Sequence, residues 1–137
     1  MFLFFSKFSY GWLTCLCWLV TENAYTTVNS RECDVYSYGV VLLELITRKK
    51  VADPSFMEGT DLVGWVRLMW SETGEINQIV DSSLANEFLD TNIMENVTKV
   101  LMLAFRCTEK DPRKRPTMTD VTKQLSDSNP QKISKKG

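Results

Sequence analysis

The stretch DVYSYGVVLLELITR, residues 34–48, carries apolar side chains on every side of a helical wheel. A helix that is apolar all round belongs in the middle of a domain, with other elements packed about it. Its β-branched positions also permit a strand, but the length favours a helix. Arg48, Lys49 and Lys50 follow with positive charge, which suits the partial negative charge of a helix C-terminus.

Toward the C-terminus, the loop VADPSFMEGT (51–60) is punctuated by Pro54 and Gly59. Thr60 is placed to cap a helix over Asp61–Trp70, whose residues Leu62, Trp65, Val66 and Met69 fall at the 3–4 spacing of one buried face. A short helix is predicted around Glu75–Val80. Residues 92–108 form a longer one, with Ile93, Val97, Val100, Leu101 and Ala104 in a stripe widened by Met94 and Phe105. Asp111–Pro116 reads as a rigid basic turn. Thr117 and Asp120 then stand at the spacing of a capping box, opening a helix with Met118, Val121 and Leu125 inward. No strand pair and no internal repeat emerges. The expected fold class is all-α, with about four helices.

Composition bounds what such a chain does. It has 137 residues, enough for one modest domain, and 16 Lys+Arg stand against 17 Asp+Glu. That balance excludes a disordered chain and a strongly basic nucleic-acid binder. There is no histidine, which removes histidine-based dyads, triads and zinc sites. Cys15, Cys17, Cys33 and Cys107 are too scattered for a disulfide framework and read as free thiols in a reducing compartment. The sequon Asn96-Val97-Thr98 sits within a predicted helix and is expected to stay unmodified.

The first twenty residues differ from the rest: 15 belong to the hydrophobic set, and Lys7 is the only charge. A secretory signal would need a cleavage site of small residues, and a membrane span roughly 18 consecutive apolar residues. Neither is satisfied. The remaining reading is an apolar appendage over residues 1–21 that must be covered, inserted in lipid or left to aggregate. The last residues, 126–137, are polar and lysine-rich, and are expected to be a disordered tail.

With these elements in order, three pieces stand out: Glu22-Asn23-Ala24-Tyr25, the run from Asp34 to Leu45, and Arg115-Pro116-Thr117-Met118. Together they resemble the C-terminal part of the large lobe of a protein kinase, over residues 22–125, and most closely plant receptor-like serine/threonine kinases with leucine-rich-repeat ectodomains. The resemblance implies three fold-anchoring residues. Glu22 matches the glutamate ending the activation segment, although Val20-Thr21 stands where the family has Ala-Pro. Arg115 matches its buried arginine partner, and a bidentate bridge between the two would pin a loop to the helical core. Asp34 matches the aspartate whose carboxylate holds the catalytic loop. The plainer alternatives are two unrelated surface charges and an ordinary first-turn carboxylate.

Phosphoryl transfer in this family requires a Gly-rich phosphate loop, a strand lysine, an HRD-type loop and a DFG aspartate. None occurs in residues 1–137, where all six glycines are isolated. The expectation is therefore no catalytic, cofactor-binding or metal residue in this chain, although the family uses ATP and magnesium. Family membership would place the parent on the cytoplasmic side of the plasma membrane; this chain is expected to be cytoplasmic or membrane-associated. Its expected partners are other signalling proteins met through the large-lobe helices. No nucleic acid is expected, and membrane contact only through residues 1–20. Two further readings stay open: a non-catalytic interaction or decoy module, and a small membrane-attached helical protein. The central helix also raises a packing question. If it lacks the elements that normally precede it, Val40, Val41, Leu43 and Leu45 cannot all be covered.

Overall fold

A computed structural model describes residues 31–51, 53–86 and 91–128, and among these every regular element is helical. Helix α1 spans Arg31–Thr47, α2 Leu62–Thr73, α3 the single turn Ser82–Ala85, α4 Thr91–Cys107 and α5 Met118–Asp127. Two 3-10 turns, Ile76–Gln78 and Pro112–Lys114, join them. No described helix is long and apolar enough to cross a membrane.

Helix α1 is the axis of the fold. Val35, Val40 and Leu43 are shut off from solvent, and Leu42 and Ile46 nearly so, which is what a helix apolar all round demands. It begins three residues before Asp34 and ends at Thr47. Arg48 turns the chain with φ 55°, so the basic run lies beyond the helix and not in its last turn. Thr47 makes that stop: its hydroxyl donates to the Leu43 carbonyl at 2.8 Å and accepts from the Lys49 N–H at 3.1 Å. Of the four residues in question on this helix, Val40 and Leu43 are buried, Val41 is half-buried and Leu45 is exposed.

Helix α4 lies along α1 and contributes Leu101, Ala104 and Cys107, all fully buried. Gly39 is what lets them approach. A Cβ there would stand 2.6 Å from Cys107 Cβ and 3.2 Å from the Ala104 carbonyl oxygen.

Helix α2 covers a second side of α1 with Leu62, Val63 and Val66, while Trp65 and Met69 are half-buried against the core. Its cap is Asp61, where the sequence suggested Thr60: the Asp61 carboxylate accepts the Gly64 N–H at 2.8 Å. A carboxylate complements the positive helix start better than a hydroxyl does. The helix also runs three residues past Trp70, through polar positions that carry no periodic signal, to a stop at Gly74 (φ 64°).

Helix α5 opens with the predicted capping box. Asp120 N–H donates to the Thr117 hydroxyl at 3.2 Å, and Thr117 N–H donates to the Asp120 carboxylate at 3.2 Å. The Thr117 hydroxyl and backbone N–H hold the Asp120 carboxyl below the usual range. Val121 is buried as expected and Leu125 packs on the core, but Met118 is exposed. Periodicity gives the direction of a side chain; burial also needs an element opposite it. The helix continues to Asp127, two residues beyond the boundary at Leu125. Residues 1–30 and 129–137, and the expectations placed on them, lie outside the described residues.

Candidate functional site

The segment from Thr108 to Thr117 returns the chain from α4 to α5, and its sequence makes it rigid. Asp111 caps the turn Pro112–Lys114 by accepting the Arg113 N–H at 3.0 Å. It also takes the Arg113 guanidinium through two further bonds of 3.0 Å. These contacts hold the Asp111 carboxyl below its ordinary range. Pro116 then disfavours the helical region for Arg115, whose backbone is extended (φ −73°, ψ 143°).

So aimed, the Arg115 side chain turns inward and is buried. Nε donates to the Glu109 carbonyl at 2.8 Å, Nη1 to the Glu32 carbonyl at 2.9 Å, and Nη2 to the Lys110 carbonyl at 3.4 Å. The guanidinium carbon stands 4.8 Å from the centre of the Tyr36 ring. Arg115 thereby ties the start of α1 to the loop after α4, across 83 residues of sequence.

Glu22, the partner the resemblance implies, lies outside the described residues. Asp34 sits in the first turn of α1 and is exposed. The structure brings Arg115 to the N-terminal end of α1, where Asp34 also lies, but no bond between the two is seen.

A second arginine escaped the sequence reading. Arg67, in the run LVGWVRLMW of α2, reaches the C-terminal end of α4. Its Nη2 donates to the Phe105 carbonyl at 2.7 Å and to both the carbonyl and the hydroxyl of Thr108 at 3.3 Å. The guanidinium lies 5.0 Å from the Phe105 ring centre and 3.8 Å from the Glu109 carboxylate. It caps the carbonyls that a helix end leaves unpaired, where positive charge is favoured. The available signal was a lone arginine amid apolar residues. Arg67→Ala is expected to lower stability by roughly 1–2 kcal/mol, since bonds to a charged donor are worth more than neutral ones. Arg67→Lys should recover less than half, because an ammonium does not reproduce the planar fork. Urea midpoints of the two variants test this, and a lysine variant as stable as the parent would refute the capping role.

The two described thiols are structural. Cys33 and Cys107 are buried, and burial pushes the Cys107 thiol up to about 11, far from a reactive thiolate at neutral pH. Among the described residues, no three His, Cys, Asp or Glu side chains converge to hold a metal ion. What the arrangement does chemically is hold helices together: two arginines, each bonded to backbone carbonyls, join α1, α2 and the end of α4.

A family model for protein tyrosine and serine/threonine kinases matches residues 9–125. A "Receptor-like protein kinase" of Ipomoea nil is 64% identical over 109 residues, covering 80% of this chain and 10% of that protein. The leucine-rich repeat receptor-like protein kinase PEPR1 of Arabidopsis thaliana is 50% identical over 115 residues, covering 80% of this chain and 10% of its own length. The chain thus spans about a tenth of the length of these curated relatives. Among solved structures, the pseudokinase domain of BIR2, an immune regulator of the RLK/Pelle family, superposes with a TM-score of 0.62 at 28% identity. That match covers 88% of this chain and 34% of the other.

Proposed function

The chain belongs to the protein tyrosine and serine/threonine kinase family, and from that premise we propose that these residues form the helical base of a receptor-like serine/threonine kinase's large lobe without supplying its phosphoryl-transfer groups. The observation that carries this reading is the placement of Arg115, buried and bonded to three backbone carbonyls at the junction of α1 with the α4–α5 loop. A residue so used is part of a scaffold.

In a longer protein, the groups that hold ATP and magnesium would come from other segments. The described residues do not fit magnesium-ATP: acidic side chains do not converge as metal ligands, and the sequence carries no Gly-rich phosphate loop. The parent's activity would be ATP-dependent protein phosphorylation in signalling, at the cytoplasmic face of the plasma membrane. Other signalling proteins would meet this part through its helices, where α2 exposes Leu68.

The 137-residue chain is therefore expected to show no saturable magnesium-dependent ATP binding and no autophosphorylation. Calorimetry with ATP from micromolar to millimolar concentration, with and without magnesium, measures it. A saturable isotherm that depends on magnesium would overturn the assignment of these residues to the scaffold alone.

A further inference from the structure

Arg48 and the turn at Asp81 close the long excursion from the end of α1 to α3. The Asp81 N–H donates to the Ile46 carbonyl at 3.3 Å. Arg48, in the left-handed region at φ 55°, a conformation rarely taken by a residue with a Cβ, sends its guanidinium to the same turn. There Nη1 donates to the Ser83 hydroxyl at 2.8 Å and stands 3.8 Å from the Asp81 carboxylate. Ser83 is exposed, the second residue of the one-turn helix α3. Its hydroxyl therefore already rests against a cation from 35 residues away.

We propose that Ser83 is a phosphorylation site whose phosphate is received by the Arg48 guanidinium. In the unmodified chain the Ser83 oxygen accepts from Arg48 while its proton goes to Asp81. Phosphorylation removes that proton and adds three acceptor oxygens with a charge of about −2. The bond to Asp81 becomes a repulsion, and the contact with Arg48 becomes a charge-assisted pair of planar fork and phosphate. Among the described residues, the charged groups facing Ser83 are Arg48 and Asp81. For a single guanidinium the dianion prevails over the monoanion. The same Asp81 Oδ1 also accepts the Ser83 N–H at 2.9 Å, so this repulsion bears on the cap of α3 as well. Ser82, also exposed one residue earlier, has no cation bonded to it among the described residues.

The step needs a nucleoside triphosphate and a separate serine/threonine kinase. The Ser83 Oγ–P bond forms as the bond from the γ-phosphorus to its bridging oxygen breaks. The nucleoside diphosphate leaves, and the hydroxyl proton passes to the base of the donor kinase. The proposal is independent of whether this chain is itself catalytically silent.

Two measurements on the full chain test it. Incubation with magnesium-ATP and an active receptor-like serine/threonine kinase domain, followed by phosphopeptide mapping, is expected to place phosphate on Ser83 in at least ~10-fold excess over Ser82, a preference worth about 1.4 kcal/mol. With phosphoserine encoded at position 83, phosphorus NMR is expected to give a second phosphate pKa a few tenths of a unit below the value of about 6 for an unpaired phosphoserine, since Arg48 is a largely exposed partner and Asp81 opposes it. The value should return to about 6 in Arg48→Gln and also when phosphoserine is placed at 82 instead. The second comparison leaves Arg48 intact and guards against a folding defect in the variant. Phosphate confined to Ser82, or equal values for the two positions in the unaltered chain, would overturn the proposal.

Discussion

Gly39→Ala is expected to destabilise the chain by about 2 kcal/mol, and Gly39→Val to abolish cooperative unfolding. On an open helix surface the alanine change stabilises by roughly 1 kcal/mol, because glycine is a poor helix former. Here the added Cβ would stand 2.6 Å from Cys107 Cβ, 2.9 Å from Thr108 Cγ2 and 3.2 Å from the Ala104 carbonyl oxygen. None of these is the far end of a flexible side chain. Relief requires α1 and α4 to move apart, loosening the contact between Val40, Leu43, Leu101 and Ala104. Overpacking of that kind typically costs about 1–3 kcal/mol, which exceeds the propensity gain. Gly64 provides the comparison. It is exposed near the start of α2, and a Cβ there meets only Asp61 Oδ1 at 3.2 Å and Thr60 Cγ2 at 3.5 Å, both on half-exposed side chains with room to give by a few tenths of an ångström. Gly64→Ala should leave the denaturation midpoint unchanged or raise it. If both alanine variants unfold at the same denaturant concentration, the close crossing of α1 and α4 is refuted.

That crossing also marks the limit of what the sequence discloses. The all-round apolar run of α1, the apolar periodicity of α2 and α4 and the Thr117–Asp120 capping box act within a few residues of themselves, and they are legible for that reason. The motif pieces placed the chain in its family, which the match over residues 9–125 bears out. Contacts that bridge distant segments were invisible. Nothing near Arg67 in sequence indicates that its guanidinium ends on carbonyls 38 and 41 residues away. The same holds for Arg48 and Ser83. The Thr60 cap failed for another reason: two adjacent residues both have capping side chains, and Asp61 takes the Gly64 N–H. Met118 failed because spacing alone does not supply a neighbour.

Arg115→Ala should cost about 3 kcal/mol, while Arg113→Ala leaves the midpoint close to that of the parent chain. The two arginines stand two residues apart and differ in where their guanidinium groups end. Arg113 bonds to Asp111, its own turn's cap, with a side chain 89% exposed, so water replaces the pair at little loss. Arg115 is 8% exposed and bonds to the carbonyls of Glu109, Glu32 and Lys110. Truncation leaves these acceptors without that donor and opens a void beside the Tyr36 ring. A hydrogen bond from a charged donor is worth about 1.5–3 kcal/mol, and the part-buried carbonyls here compete for whatever water enters. Arg115→Lys separates charge from geometry. One ammonium keeps the charge near Tyr36 but does not span carbonyls from two segments 83 residues apart in the chain. Its expected loss is roughly half that of alanine, since some of the donors are kept. Urea titration of the three variants followed by circular dichroism measures the order. The expected ranking is Arg113→Ala, then Arg115→Lys, then Arg115→Ala as the least stable. Coincident midpoints for the two alanine variants would mean that the carbonyl grip contributes nothing to holding α1 against the α4–α5 loop.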